Sequence, residues 1–155
     1  MKKILFLFVI MVSSLLTTFC FAATPEVSAK YTQFNPLTGV YQLEGQVTVK
    51  LPGQIIVADQ ATVYLYQQKV SASGNVHLSD TNINFWCDQV QVAGSENIAF
   101  CSGNCRFRDG NTTIISQTGS FNWKTKLAIF NGNVKVNDAS YPDETTYNVT
   151  TKQIQ

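Results

Sequence analysis

The sequence predicts an all-β chain, an antiparallel meander whose repeat unit is one hairpin. Three observations carry that expectation. First, Gly45-Gln46-Val47-Thr48-Val49 returns as Gly74-Asn75-Val76-His77-Leu78, Gly103-Asn104-Cys105-Arg106-Phe107 and Gly132-Asn133-Val134-Lys135-Val136, always 29 residues on. A fixed period in this range marks a repetitive architecture. Second, each copy alternates apolar and polar positions, the pattern of a strand with one dry and one wet face. Third, valine, isoleucine, threonine and aromatic residues dominate the segments between short polar breaks, and no stretch sustains a helical period.

Residues 1–22 read as a cleaved secretory signal. Lys2 and Lys3 precede an apolar run from Ile4 to Leu16, and Cys20-Phe21-Ala22 offers small residues around a cleavage point. The run is too short for a membrane anchor. Lipidation at Cys20 is the alternative, but Thr18-Phe19 is a poor approach to such a site. The remaining chain is long enough for one domain with its own core. Residues 23–33, with Pro25 and no period, read as an unpaired lead-in, and residues 34–155 as the β domain. With 11 basic against 10 acidic residues, and two of the basic ones in the signal, the chain lacks the basic footprint of a nucleic-acid binder.

The first copy opens on a turn, Phe34-Asn35-Pro36-Leu37-Thr38-Gly39, echoed by Phe121-Asn122-Trp123-Lys124-Thr125-Lys126. Strands are expected near 40–49, 54–63, 69–78, 83–92, 98–107, 112–121 and 127–136, with an eighth at 145–151. Breaks of four or five residues close antiparallel hairpins, whereas parallel neighbours need long crossovers. A parallel β-solenoid turning corners at the same breaks is the rival topology. In the glycine-bearing strands one face is apolar throughout: Leu43, Val47 and Val49; Ala72, Val76 and Leu78; Cys101, Cys105 and Phe107; Phe130, Val134 and Val136. Glu44, Thr48, His77, Arg106 and Lys135 take the other face. Glycines 45, 74, 103 and 132 recur at one height, which predicts that the sheet creases there and folds over its apolar face. In the intervening strands, a bulge at Ala58-Asp59 and Cys87-Asp88 would reconcile two halves of different pattern.

The Gly-Asn-Val-x-Val copies, Ala58-Asp59-Gln60-Ala61 with its echo Cys87-Asp88-Gln89-Val90, and Phe34–Gly39 followed by Tyr41-Gln42-Leu43-Glu44-Gly45 together resemble the LptA/OstA family of lipopolysaccharide-transport proteins. The resemblance spans about residues 31 to 137. It implies an open, twisted antiparallel jelly roll with a hydrophobic interior. It also implies a periplasmic carrier or bridge that shields the acyl chains of lipopolysaccharide between inner and outer membranes. Implied partners are the lipid or a similar amphiphile, related jelly-roll domains of inner- and outer-membrane transport proteins, and further copies stacked end to end. The cleavable signal and the size favour the bridge component over its membrane-bound relatives.

On that resemblance the interior residues Leu43, Val47, Val49, Val76, Leu78, Phe107, Phe130, Val134 and Val136 are candidates for lipid contact; an ordinary filled core is the alternative for each. Catalysis is not expected. His77 is the one histidine, and Asp59 and Asp88 recur by repeat position, as carboxylates satisfying backbone N–H groups at a bulge would. No cofactor or metal is expected either, because zinc sites want four ligands at closer, paired spacing. Cys87, Cys101 and Cys105 make a disulfide the better reading in an oxidising compartment. A five-residue turn at 93–97 sets Cys87 nearly opposite Gly103 and diagonal to both others, so the pairing stays open. Two other classes remain: an exported β-repeat interaction or assembly module with a filled core, and, weakest, a carbohydrate-active enzyme on a β-solenoid.

Overall fold

A computed structural model describes residues 24–155; the signal-peptide expectation and Cys20 lie outside the described residues. The long strands are β3 (Val40–Leu51), β4 (Gln54–Tyr64), β5 (Lys69–Asp80), β6 (Ile83–Ala93), β7 (Ile98–Asp109) and β8 (Thr112–Asn122). Each pairs antiparallel with the next, so the 29-residue unit is one hairpin and the solenoid is excluded. Helical structure among the described residues is a 3-10 turn, Gly94–Glu96, closed by Asn97 in the left-handed conformation.

Two ends complete the sheet. Before the first repeat, β1 (Glu26–Ser28) and β2 (Tyr31–Asn35) both pair with β3, against its far and near halves respectively. Of the expected unpaired lead-in, residues 23–33, the described part is paired at 26–28 and 31–33, and Lys30 N–H bonds to Gly45 O at 2.8 Å between the two short strands. After β8 the last copy breaks into β9 (Leu127–Asn131) and β10 (Lys135–Val136). The chain returns through β11 (Ala139–Ser140) and β12 (Glu144–Asn148), the latter being the expected eighth strand in shortened form, and ends in β13 (Gln153–Ile154).

The crease lies where the glycines predict it, but its bulge is on the other strand of each pair. Glu44 pairs with Gln60 and Val47 with Ala58, so Gly45 and Gln46 together face Asp59. Gly74-Asn75 stands likewise opposite Asp88, and Gly103-Asn104 opposite Gln117. Both bulge residues are left-handed, with φ of 76° and 47° at Gly74-Asn75 and 74° and 49° at Gly103-Asn104. Glycine and asparagine tolerate that region best. The change of pattern expected in β4 and β6 does occur there. Ala58 and Ala61 both face inward, as do Cys87 and Val90, with two exposed residues between each pair. The strand with the changed pattern simply carries no extra residue.

Bending the long strands β3 to β8 at one height folds the sheet into a V with its apolar face inside. Phe85, from the half of β6 before the crease, meets Phe121 and Phe130 from beyond it, with ring centroids 6.3 and 6.1 Å apart. Phe107 completes the cluster at 4.8 Å from Phe85 and 5.3 Å from Phe130. Gln54 and Val63, near opposite ends of β4, line the same cavity at the mouth of the V.

Candidate functional site

The interior of the V is the candidate site. All nine residues read as interior from the sequence are buried: Leu43, Val47, Val49, Val76, Leu78, Phe107, Phe130, Val134 and Val136. A large part of the wall comes from β4, β6 and β8, strands expected from the sequence but without their inward residues assigned. Ile56, Val63, Phe85, Val90, Val92, Ile114 and Phe121 are buried beside them. The signal that finds these is the change of pattern at Ala58–Ala61 and Cys87–Val90, which carries the inward face from even to odd positions in β4 and from odd to even in β6. The interior is packed as the molecule stands, with Val47, Val49, Ile56, Phe85, Phe107 and Phe130 each 0% exposed.

Its two ends differ. Toward the N-terminal side the mouth holds an apolar cavity of about 330 Å³, lined by Leu51, Val63, Leu65, Val70, Val92 and Trp123 among others. Trp123 is fixed there by its indole N–H, which donates to Asn97 Oδ1 at 3.0 Å. Toward the C-terminal side the two lips are bridged by side chains, beside a cavity of about 340 Å³ lined by Asp80, Ile83, Phe121, Lys126, Val149 and Lys152 among others. The buried Asp109 carboxylate accepts from Tyr147 Oη at 3.2 Å and forms an ion pair with Lys152 of the final turn. Burial first of all, with Asp109 beside it, raises the Tyr147 phenol above its ordinary 10.0. One repeat earlier Asp80 accepts from Gln54 Nε2 at 3.1 Å instead.

Asp59 and Asp88 serve the crease, though not by binding backbone N–H groups. Asn75 Nδ2 donates to Asp59 and Asn104 Nδ2 to Asp88, each at 2.8 Å, so aspartate and bulge asparagine clasp each other across the strands. Both aspartates are exposed, on the outer side of the crease.

His77 lies on the outer face, as expected. Its ring stacks on Trp86 with centroids 4.9 Å apart, and its Nε2 is 2.9 Å from Asn84 Oδ1.

The three cysteines are all buried and all inward, so Cys87 is not turned away from the others. Their thiols act on one another. Hydrogen bonding from Cys101 and then Cys105 lowers Cys87 against the effect of burial. Bonding to Cys105 and Cys87, with burial, holds Cys101 well above the ordinary 9.0. Cys105 is pulled down by its bond to Cys101, but the bond to Cys87, burial and the charge on Cys87 outweigh that and push it up. Among the described residues no group of histidine, cysteine or acidic side chains is arranged to hold a metal ion.

No protein-family model matches the chain, and no curated protein matches it. Its architecture does match a solved structure. The crystal structure of LptH, the LptA-homologous periplasmic component of the lipopolysaccharide transport device of Pseudomonas aeruginosa, superposes with a TM-score of 0.67 at 10% sequence identity. The match covers 72% of this chain and 92% of that one. In fold, then, the chain is an open antiparallel β jelly roll like that of LptH.

Proposed function

We propose that the protein is a non-enzymatic periplasmic carrier, or bridge element, for lipopolysaccharide or a similar amphiphile passing between inner and outer membranes. The observation that carries this is the continuous apolar interior of an open V whose mouth widens into an apolar cavity at the N-terminal side. The fold it shares with LptH, together with the sequence resemblance to LptA/OstA proteins, supports the same reading. Shielding an acyl chain gains about 0.8 kcal/mol per buried CH2, so the task needs an apolar trough and no catalytic group. In this reading the cavity admits the first part of a chain. Deeper insertion parts the two lips and exposes Leu43, Val47, Val49, Val76, Leu78, Phe107, Phe130, Val134 and Val136 to lipid. The free edges of β1–β2 and of the C-terminal strands would receive related jelly-roll domains or further copies by strand addition.

The tightness of the packed interior favours a second reading, an exported assembly module with a filled core and no lipid. Trp86 and Trp123 are the two tryptophans, one on the outer face and one at the cavity, and they separate the readings. In the carrier, lipopolysaccharide or lipid with brominated acyl chains quenches the fluorescence of the Trp86→Phe variant, which retains Trp123, and leaves the Trp123→Phe variant unquenched. Equal quenching of both variants, or none, would favour the filled module.

A further inference from the structure

The position of the bulge decides how the three cysteines pair. If the extra residue lay in β6, Cys87 would sit opposite Gly103 and only diagonal to a partner. The extra residue lies in β7, at Gly103-Asn104. Trp86 pairs with Arg106. One step along that register toward the crease, Cys87 stands beside Cys105. Cys101 lies beyond the bulge, where it pairs with Val90 on one side and Gly119 on the other. Directly opposed residues of an antiparallel pair have Cα atoms roughly 4.5–5.5 Å apart, inside the range a disulfide spans. Cys101 sits opposite Val90, past the bulge, and meets Cys87 through its thiol rather than from an opposed backbone position. All three side chains point into the interior.

We propose that Cys87 and Cys105 form a cross-strand disulfide at the crease between β6 and β7, and that Cys101 remains a buried free thiol beside it. The inference stands apart from the carrier reading, since it rests on the strand register and the placement of the thiols and not on lipid. With a small disulfide as oxidant, such as oxidised glutathione, the Cys87 thiolate attacks one glutathione sulfur and displaces glutathione thiolate. The Cys105 thiolate then attacks the Cys87 sulfur of the mixed disulfide and displaces the second. Two protein thiols become one S–S bond, and their two protons leave on two molecules of glutathione. Lowering of the Cys87 thiol by its neighbours makes it the better first attacker. The bond would fix the β6–β7 register next to the bulge, where the ladder is interrupted.

The test is to refold the full chain in a glutathione redox buffer, denature it without reductant, alkylate, and cleave after glutamate. Cleavage at Glu44, Glu96 and Glu144 places Cys87 in fragment 45–96 and both other cysteines in fragment 97–144, apart from Cys20. The expected result is that these two fragments travel joined, with one alkyl group located on Cys101 by fragmentation between Ser102 and Asn104. In Cys101→Ser they travel joined and unalkylated. Alkyl on Cys105, separated fragments with Cys87 alkylated, a glutathione adduct in place of the bond, or a disulfide-linked dimer would each overturn the pairing.

Discussion

Gly74 and Gly103 sit where a side chain has neither an easy backbone angle nor room. A Cβ on Gly74 would meet Asp59 Oδ2 at 2.5 Å, and one on Gly103 would meet Asp88 Cβ at 2.8 Å. Gly53, in the β3–β4 turn, has a similarly positive φ of 86° but nothing within 4 Å. Gly53→Ala is expected to cost about 1 kcal/mol, the conformational term alone. Gly103→Ala should cost clearly more, because the aspartate must also move and release Asn104. Urea midpoints of the two variants, with unchanged slopes, measure the difference; equal losses would contradict the clasp. The thiols set a second expectation at this scale. With raised folded values, Cys101 and Cys105 contribute stability that is fully present below the ordinary 9.0 and is lost as pH rises through their folded values. Tyr147 adds to the same trend above 10.0. Under reductant, stability should therefore fall as pH rises beyond about 9, and the decline should be shallower in Cys101→Ser. A reduced protein whose stability is flat there would refute the account of the trio. The recurrent glycines located the crease from sequence. Which strand holds the extra residue was not legible, because a changed pattern in β4 and β6 looks the same whether the bulge is in that strand or in its partner.

Among the elements, the long strands from β3 to β8 were readable because each has one buried face, and burial on one side writes a period of two into the chain. The edge formed by β1 and β2 was not. Every residue of β2 is exposed, Tyr31 by 62%, so no alternation was imposed, and its backbone hydrogen bonds to β3 leave no mark on composition. Shared turn chemistry was legible as the match between Phe34–Gly39 and Phe121–Lys126. Asn35 Oδ1 accepts from the N–H groups of Leu37 and Thr38, and Asn122 Oδ1 from those of Lys124 and Thr125. Asn148 repeats the arrangement with Thr150 and Thr151, at a shorter spacing that hid it. Packing at this scale is concentrated in the aromatic cluster across the V. Phe107→Ala removes a ring that contacts Phe85, Phe130 and Tyr147 and should cost about 3–5 kcal/mol. Trp86→Ala, on the outer face, should cost much less. Chemical denaturation of both variants checks the contrast, and comparable losses would mean that the interior does not dominate stability.

For the whole molecule, one consequence of an open sheet is that its edges stay available. In the proposed stacking, the β1–β2 edge meets another sheet edge, and Tyr31 projects from it. Tyr31→Lys should weaken concentration-dependent association in sedimentation velocity without changing thermal stability, since edge charges oppose strand addition; unchanged association would remove this edge from the interface. The V is also asymmetric. Asp109, Tyr147 and Lys152 tie its C-terminal end, while Leu65 and Trp123 border the apolar cavity at the other. In the proposed carrier, lipid would therefore enter at the N-terminal side of the mouth. The sequence showed that one face is apolar, but an alternating strand reads the same over an open trough as over a filled core. The most direct test is photo-crosslinking from a benzophenone amino acid at Leu65, in cells that make lipopolysaccharide, with the same group at His77 as the outer-face control. A lipopolysaccharide adduct is expected at Leu65 and none at His77. Folded, exported protein with no adduct at Leu65, or with equal adducts at both positions, would contradict the carrier reading.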